Sequence, residues 1–139
     1  MEPKIYYKDV KFRLGRTKEI KNWIVQVIRS EKKVPGDLSF IFVGDSYIKE
    51  INEEFLNHDY RTDVIAFDNG QKNIISGEIY LGIDTIVRNA GIYDTGIKNE
   101  VMRVMVHAVL HLIGYDDRDE VRKDEMREKE DLYLDKFGK

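Results

Sequence analysis

Residues 101–117 have the sequence Val101-Met-Arg-Val-Met-Val-His107-Ala-Val-Leu-His111-Leu-Ile-Gly-Tyr-Asp-Asp117, which is the most informative segment of the chain. Apolar residues occupy nearly every side of a helix here, which predicts a buried helix. The polar side chains Arg103, His107 and His111 fall on one stripe, because residues four apart share a helix face. Two imidazoles on one face are close enough to bind a single metal ion. The stretch therefore predicts a core helix with a metal site on one side.

A third ligand is expected just beyond this helix. Glycine adopts the strained conformations that end helices at little cost, so Gly114 is expected to stop the helix and turn the chain back. This turn would return Asp116 or Asp117 towards the histidines, and the pattern does not choose between them. A single histidine in an apolar helix is more often a hydrogen-bonded core residue. Several polar side chains buried in a line, however, are costly unless something satisfies them.

Composition narrows the class of protein. The chain has 139 residues, of which 42% are hydrophobic and 35% charged, which suits one domain spanning residues 1–139. It has no cysteine, so disulfides and thiolate metal sites are excluded, and histidine and oxygen must hold any metal. No apolar run resembles a signal peptide or a membrane span, so we expect a cytoplasmic protein with no membrane partner. The net charge of −3 argues against a nucleic-acid coat protein, although basic residues in the first quarter would permit one phosphate-binding face.

The periodicity predicts an α+β fold in which a single layer of about four mixed strands packs with about five helices. The strands are expected at residues 5–12, 38–43, 63–67 and 77–83. The first helix is expected after an N-cap at Thr17, the second after a cap at Asp45 or Ser46 and up to residue 56, and the third after a cap at Asp84 and up to about residue 90. The last two helices are expected at 98–113 and at 118–137. Pro35-Gly36 is expected to end the first helical unit, and the last helix to have too few apolar residues for deep burial.

The histidine helix predicts hydrolytic chemistry. A zinc ion with three protein ligands keeps one position open for water and lowers the pKa of that water. The spacing is metzincin-like, yet the glutamate that follows the first histidine in those proteases, their general base, is replaced here by Ala108. The lack of this proton acceptor disfavours a peptidase.

The same helix resembles the signature of the YbeY endoribonucleases, also described as ribosomal RNA maturation factors. The family pattern H-G-x-L-H-L-x-G-Y-D-H is similar to residues 107–117, HAVLHLIGYDD. Residues 57–61, NHDYR, resemble its N-x-x-Y-R motif, and residues 62–67, TDVIAF, its T-D-V-L-S-F motif. Residues 77–79, GEI, are similar to its G-D-I strand, and residues 125–128 to its terminal acidic helix. The similarity spans most of the chain in the family's order.

This resemblance implies a metal-dependent, single-strand-specific endoribonuclease that acts in ribosomal RNA maturation, at the 3′ end of 16S RNA, and in ribosome quality control. The implied partners are single-stranded RNA, ribosomal RNA and the ribosome. The implied metal ligands are His107, His111 and Asp117, around one zinc ion. Asp117 stands where the family usually has histidine; a carboxylate also suits iron or manganese, so another divalent metal stays open, as does ligation by Asp116.

Arg61 matches the family's arginine and is the expected catalytic residue, since a guanidinium can pair bidentately with phosphate oxygens. In the family a longer loop usually separates the N-x-x-Y-R and T-D-V-L-S-F motifs. Here Arg61 and Thr62 are adjacent, so the chain departs from the family at this point. Asp63 and Glu78 would reach the site if their strands line it. Stacking on unpaired bases is conceivable for four tyrosines, which at strand positions are more often half-buried core: Tyr6, Tyr7, Tyr60 and Tyr80.

A function from another class fits the same residues, namely a ribosome assembly factor that cleaves nothing and whose metal is structural. The missing general base and the substituted third ligand favour it. The open three-ligand set and Arg61 favour catalysis. The sequence does not indicate an oligomeric state.

Overall fold

A computed structural model describes residues 2–56 and 62–137 of the chain. In this part the strands are β1 (Lys4–Tyr7), β2 (Val34–Val43), β3 (Val64–Asp68) and β4 (Ile74–Gly82). The helices are α1 (Thr17–Ser30), α2 (Asp45–Leu56), α3 (Ile83–Ile92), α4 (Ile97–Ile113) and α5 (Glu120–Lys136). The predicted α+β class, with one layer of four strands and five helices, is confirmed.

The strands form one mixed sheet in the order β1-β2-β4-β3. β1 and β4 both run parallel to β2, and the connections between these strands include helices, as parallel neighbours require. β3 pairs antiparallel with β4 alone and is therefore an edge strand of the sheet. This edge lies beside the histidine helix α4 and forms one wall of the site described below.

Alternate residues of the strands give the sheet two different faces. Phe40 and Phe42 of β2, with Ile79 and Leu81 of β4, are fully buried in the main core with α1 and α4. A smaller cluster covers part of the opposite face, where α2 packs through Ile48 and Ile51. Gly77 lies on the α4 face, and a Cβ there would come within 2.3 Å of the Phe67 carbonyl oxygen, so this position requires glycine.

The histidine helix is close to its predicted bounds. α4 begins at Ile97 and ends at Ile113, and its apolar residues between Val101 and Leu110 are buried. Gly114 follows with φ +132°, a backbone conformation that side-chain-bearing residues rarely adopt. Its N–H donates to the carbonyls of Leu110 and His111, which closes the helix. The predicted helix stop at this glycine is confirmed.

Two predictions about the first third of the chain are wrong. β1 ends at Tyr7 instead of continuing to residue 12, because Asp9 has φ +54° and turns the chain away. Thr17 is the first residue of α1 and not its N-cap; Arg16 precedes the helix with φ +53° and no side-chain cap. The Arg16 guanidinium lies over the Phe137 ring, 4.9 Å from its centroid, which holds this turn against α5.

Two further elements, β2 and α3, begin a few residues from their predicted starts. β2 begins at Val34 and so includes Pro35 and Gly36, with a register shift between Pro35 and Leu38 that accommodates the proline. α3 begins at Ile83 with Gly82 as its N-cap, so the predicted cap at Asp84 is wrong. The Asp84 carboxylate instead accepts the N–H of Asp45 at 3.0 Å and joins α3 to α2. The predicted cap at Asp45 or Ser46 is wrong as well, because α2 already begins at Asp45.

The terminal helix begins two residues later than predicted, where the Asp119 side chain caps it by accepting the N–H of Arg122 at 2.9 Å. The expectation of shallow burial holds for Val121 and Leu132, which are exposed, but is wrong for Met126, which is buried in the core. Tyr133, for which no prediction was made, is buried there too. Among the described residues no helix is both long and apolar enough to cross a membrane.

Candidate metal centre and active site

The structure places the three predicted metal ligands in one cleft. His107 and His111 on α4, together with Asp117 from the following turn, line a cavity of about 250 Å³. Residues 64–66 of the edge strand β3 form its opposite wall. We call this space the histidine cleft. Its histidines lie on the face of α4 that points away from the main core, and His111 and Asp117 are exposed to solvent.

The ligand side chains are near one another without closing around a common point. The rings of His107 and His111 are parallel, with centroids 6.3 Å apart. The Nε2 atom of His107 lies 3.9 Å from Oδ2 of Asp117. Within the part of the chain that the structure describes, no three histidine or acidic side chains are clustered tightly enough to hold an ion as they stand. The donors are nevertheless of the kind that zinc prefers, two imidazoles and one carboxylate.

The turn after Gly114 separates the two aspartates that the sequence left as alternatives. Asp116 faces Arg118, whose Nε lies 3.4 Å from Oδ2 of Asp116. Asp117 lines the histidine cleft opposite His107, whereas Asp116 is not among its lining residues. The position of the side chains therefore favours Asp117 over Asp116 as the carboxylate of the site.

The turn that carries Asp117 is fixed from behind by Glu31, at the end of α1. Its carboxylate accepts hydrogen bonds from the hydroxyls of Tyr115, at 2.7 Å, and Tyr133, and pairs with Lys129 at 3.2 Å. Burial alone would raise the pKa of Glu31, but these donors outweigh it and leave the pKa below its ordinary value. Tyr115 is thereby anchored between the helix stop and the two aspartates.

His107 also contacts a second, smaller cavity on its far side. This rear pocket has a volume of about 130 Å³ and is lined by Asp63, Glu100, Arg103, Val104, His107 and Glu130. The Nδ1 atom of His107 lies 2.7 Å from Oε2 of Glu130. Burial disfavours the charged imidazole, yet the hydrogen bond to Glu130 and the charges of Glu130, Asp117 and Asp63 raise the pKa of His107 overall.

Of the two strand acids considered from the sequence, only Asp63 lies near the site. Asp63 precedes β3 and lines the rear pocket, where burial raises the pKa of its carboxyl against the opposing effect of His107. Glu78 alternates with Gly77 and Ile79, which face α4, so it lies on the other face of the sheet and is exposed.

The other predicted residues lie elsewhere or outside the described ranges. Arg61 and Tyr60 fall outside the residues that the structure describes, so the catalytic role of Arg61 stays a prediction. Tyr7 is partly buried and stacks on Phe42 of the core, whereas Tyr6 is 50% exposed. Tyr80 is half-buried beside Tyr47 and Phe67, as strand tyrosines commonly are.

The role of Glu130 was not predicted from the sequence, although the residue spacing on α5 indicates that Glu130 lies on a face with apolar residues. Met126, Glu130 and Tyr133 recur at intervals of four and three residues, so they share one face of α5. That face is the buried one, and Glu130 is the only acidic residue among the buried positions of the described α5 helix. An acid on a buried stripe needs a partner, and the polar stripe of α4 supplies it.

Comparison with known proteins identifies the family. The sequence model of the family described as Endoribonuclease YbeY matches residues 5–138 of this chain. The chain belongs to the YbeY family. Among its YbeY relatives, the Endoribonuclease YbeY of Chloroherpeton thalassium is 43% identical over 130 residues, which are 94% of this chain and 92% of the relative. That of Christiangramia forsetii is 40% identical over 126 residues, covering 91% and 88% of the two chains.

A solved structure is similar to this YbeY chain over nearly its whole length. The solution structure of TM1509 from Thermotoga maritima superposes with a TM-score of 0.67 at 26% sequence identity, covering 96% of this chain and 87% of TM1509. The resemblance inferred from the motifs is therefore confirmed at the level of the family.

Proposed function

We propose that the chain is a metal-dependent endoribonuclease that cuts single-stranded RNA, and that its cellular role is ribosomal RNA maturation, including the 3′ end of 16S RNA, and ribosome quality control. The observation that carries the proposal is the convergence of His107, His111 and Asp117 on one open cleft, in a chain whose YbeY relatives are named endoribonucleases. RNA, and in particular ribosomal RNA and the ribosome, are the proposed partners.

The proposed ligands of one zinc ion are His107, His111 and Asp117. The donor set suits zinc, and with a carboxylate in place of a third histidine it also suits manganese or iron. A divalent ion bound there would supply Lewis-acid stabilisation of the negative charge that builds on phosphate oxygens. His111 and Asp117 are exposed side chains, so the proposed site faces solvent and substrate instead of the core.

The chain's own residues would supply positioning and charge. Attack on a phosphodiester places negative charge on the non-bridging oxygens, and Arg61 is proposed to pair with them bidentately. The edge strand forms the second wall of the cleft, so a bound strand of RNA would lie between α4 and β3. The cleft opens at the surface, which suits an unpaired strand better than the interior of a duplex.

The position of the cleft favours a catalytic metal ion over a structural one. A structural ion usually holds together elements that do not otherwise pack. Here α4 is buried through its apolar residues against α1 and the sheet, and the histidines lie at the edge of that packing. The core of the fold therefore forms without a contribution from the proposed ion.

The test compares single-stranded RNA with the same strand annealed to its complement. Protein stripped by a chelator and resupplied with zinc or manganese should cut the free strand and leave the duplex intact. The thermal midpoint of the stripped protein should change little. A large fall in that midpoint on stripping, with no cleavage under any metal, would instead support an assembly factor with a structural ion.

A further inference from the structure

A buried carboxylate on α5 contacts the first histidine of the proposed site from behind. Glu130 is 6% exposed, and its Oε2 lies 2.7 Å from Nδ1 of His107, 23 residues earlier on a different helix. A buried carboxylate is costly unless donors satisfy it. The contact with His107 provides one donor, and the other oxygen of Glu130 has a partner of its own.

That second partner is Arg103, one helical turn before His107. Its Nη1 donates to Oε1 of Glu130 at 2.8 Å, and its Nη2 donates to Oδ1 of Asp131 at 2.6 Å. The guanidinium is planar and rigid, so its two donors hold neighbouring carboxylates of α5 in fixed positions. Glu130 therefore cannot rotate freely, and its Oε2 stays directed at His107.

The hydrogen-bond chemistry of these groups determines the tautomer of His107. An ionised carboxylate only accepts hydrogen bonds, so the proton of the neutral imidazole must be on Nδ1 to bond Glu130. The lone pair is then on Nε2. This is the nitrogen that faces the histidine cleft, where it lies 3.9 Å from Oδ2 of Asp117. The nitrogen that can bind a metal is therefore the one that points at the other proposed ligands.

We propose that Glu130 is a positioning residue of the metal site: it holds the proton of His107 on Nδ1 and orients the ring so that Nε2 is presented to the ion, while Arg103 holds Glu130 in place. Carboxylates in this relation to a ligating histidine orient the ring and raise its basicity as a ligand. The proposal rests on the proposed metal site and deepens it, because it assigns to α5 a part in metal affinity.

The first test needs no metal. A long-range proton–nitrogen correlation spectrum of metal-free wild-type protein, at a pH where the ring is neutral, reports the tautomer of each histidine. The expected result is a proton on Nδ1 of His107, which Glu130→Ala moves to Nε2. A wild-type His107 protonated on Nε2 would overturn the proposal, even if Glu130→Ala failed to fold.

The second test is zinc affinity, measured by competition with a chromophoric chelator. Glu130→Ala should bind zinc about 10- to 100-fold more weakly, the usual cost of losing such a carboxylate. Glu130→Gln, whose amide oxygen can still accept from Nδ1, should recover part of the affinity and of the Nδ1 proton signal. The matched control is Glu128→Ala, on the exposed side of the same helix, which should bind zinc like the wild type.

The two tests separate this proposal from the proposed function. Wild-type affinity in a folded Glu130→Ala protein would overturn the role of Glu130 and leave the metal site standing. Failure of the wild type itself to bind zinc or manganese would contradict the proposed metal site, and the positioning role that rests on it. A simple loss of folding stability in Glu130→Ala, with tautomer and affinity unchanged, would identify Glu130 as a structural ion-pair partner of Arg103 only.

Discussion

The hydroxyl of Tyr115 lies 2.7 Å from Oε1 of Glu31, a contact between residues 84 positions apart. It joins the turn after the histidine helix to the end of α1. Tyr115 lies directly between Gly114 and the two aspartates, so the contact fixes the backbone from which Asp117 reaches the histidine cleft. The same carboxylate also accepts from Tyr133 and pairs with Lys129 on α5.

This carboxylate should make stability depend on pH in the acid range. Glu31 has a folded-state pKa below its ordinary value of 4.5, so its ionised form contributes stability that is complete above that value. The contribution is lost as the pH falls through the lower, folded-state pKa. Glu31→Gln should lower the free energy of unfolding by about 1–3 kcal/mol at neutral pH, and the difference from wild type should shrink below pH 4.5.

Urea unfolding between neutral and acid pH measures this dependence. The control is Glu125→Gln, which replaces an exposed glutamate and should parallel the wild type at every pH. A Glu31→Gln deficit that stays constant down to acid pH would show that the charge of Glu31 is not the stabilising feature.

Gly114 should resist substitution for a backbone reason alone. A Cβ at this position would meet no atom within 4 Å, yet φ is +132°, where side-chain-bearing residues are strained. Gly114→Ala should therefore destabilise the fold by about 1–3 kcal/mol. Gly91→Ala is the matched control, since Gly91 lies within α3, has equal space and lacks a positive φ, and it should be neutral or stabilising by up to about 1 kcal/mol. Equal effects of the two changes on thermal unfolding would contradict this reading of the helix stop.

The two aspartates of the turn should differ in metal affinity. Asp117 lines the cleft and Asp116 faces Arg118, so Asp117→Asn should weaken zinc binding far more than Asp116→Asn. Asparagine keeps the shape of the side chain and removes its charge, which isolates the ligand role. Isothermal titration of both variants measures it. A larger loss in Asp116→Asn would transfer the ligand role to that residue.

Arg61 should affect cleavage much more than folding. If its guanidinium pairs with the phosphate as charge develops, Arg61→Ala should lower kcat by about 100-fold or more and leave the thermal midpoint nearly unchanged. Arg127→Ala, which removes an exposed arginine from α5, is the control and should cut RNA at the wild-type rate. An Arg61→Ala protein with wild-type kcat would remove Arg61 from the mechanism.

The histidine helix could be predicted from sequence because its information is local. Apolar periodicity, the four-residue spacing of His107 and His111 and the glycine stop all lie within 17 residues, and each reflects the geometry of one helix. The four strands were found for the same reason, since short runs of strand-forming residues mark them.

What could not be predicted depends on contacts between distant parts of the chain. The spacing of Met126, Glu130 and Tyr133 places them on one helix face, but it does not show that Glu130 meets His107, which happens only because α5 packs on α4. The order β1-β2-β4-β3, which makes β3 the wall of the cleft, is likewise a tertiary property. The wrong predictions for the end of β1 and the cap of α1 have a different origin. Asp9 and Arg16 adopt positive φ values, and glycine, the usual sequence signal for such a conformation, is absent at both positions.

We propose that RNA is cut in the histidine cleft of this YbeY chain. The most direct measurement is cleavage of single-stranded RNA by chelator-stripped protein resupplied with zinc or manganese, beside His111→Ala treated identically. His111 is exposed, so its loss should leave folding stability within about 0.5 kcal/mol of wild type. We expect metal to restore cutting in the wild type and not in His111→Ala. Equal cutting by both folded proteins would contradict the proposal and place the activity elsewhere.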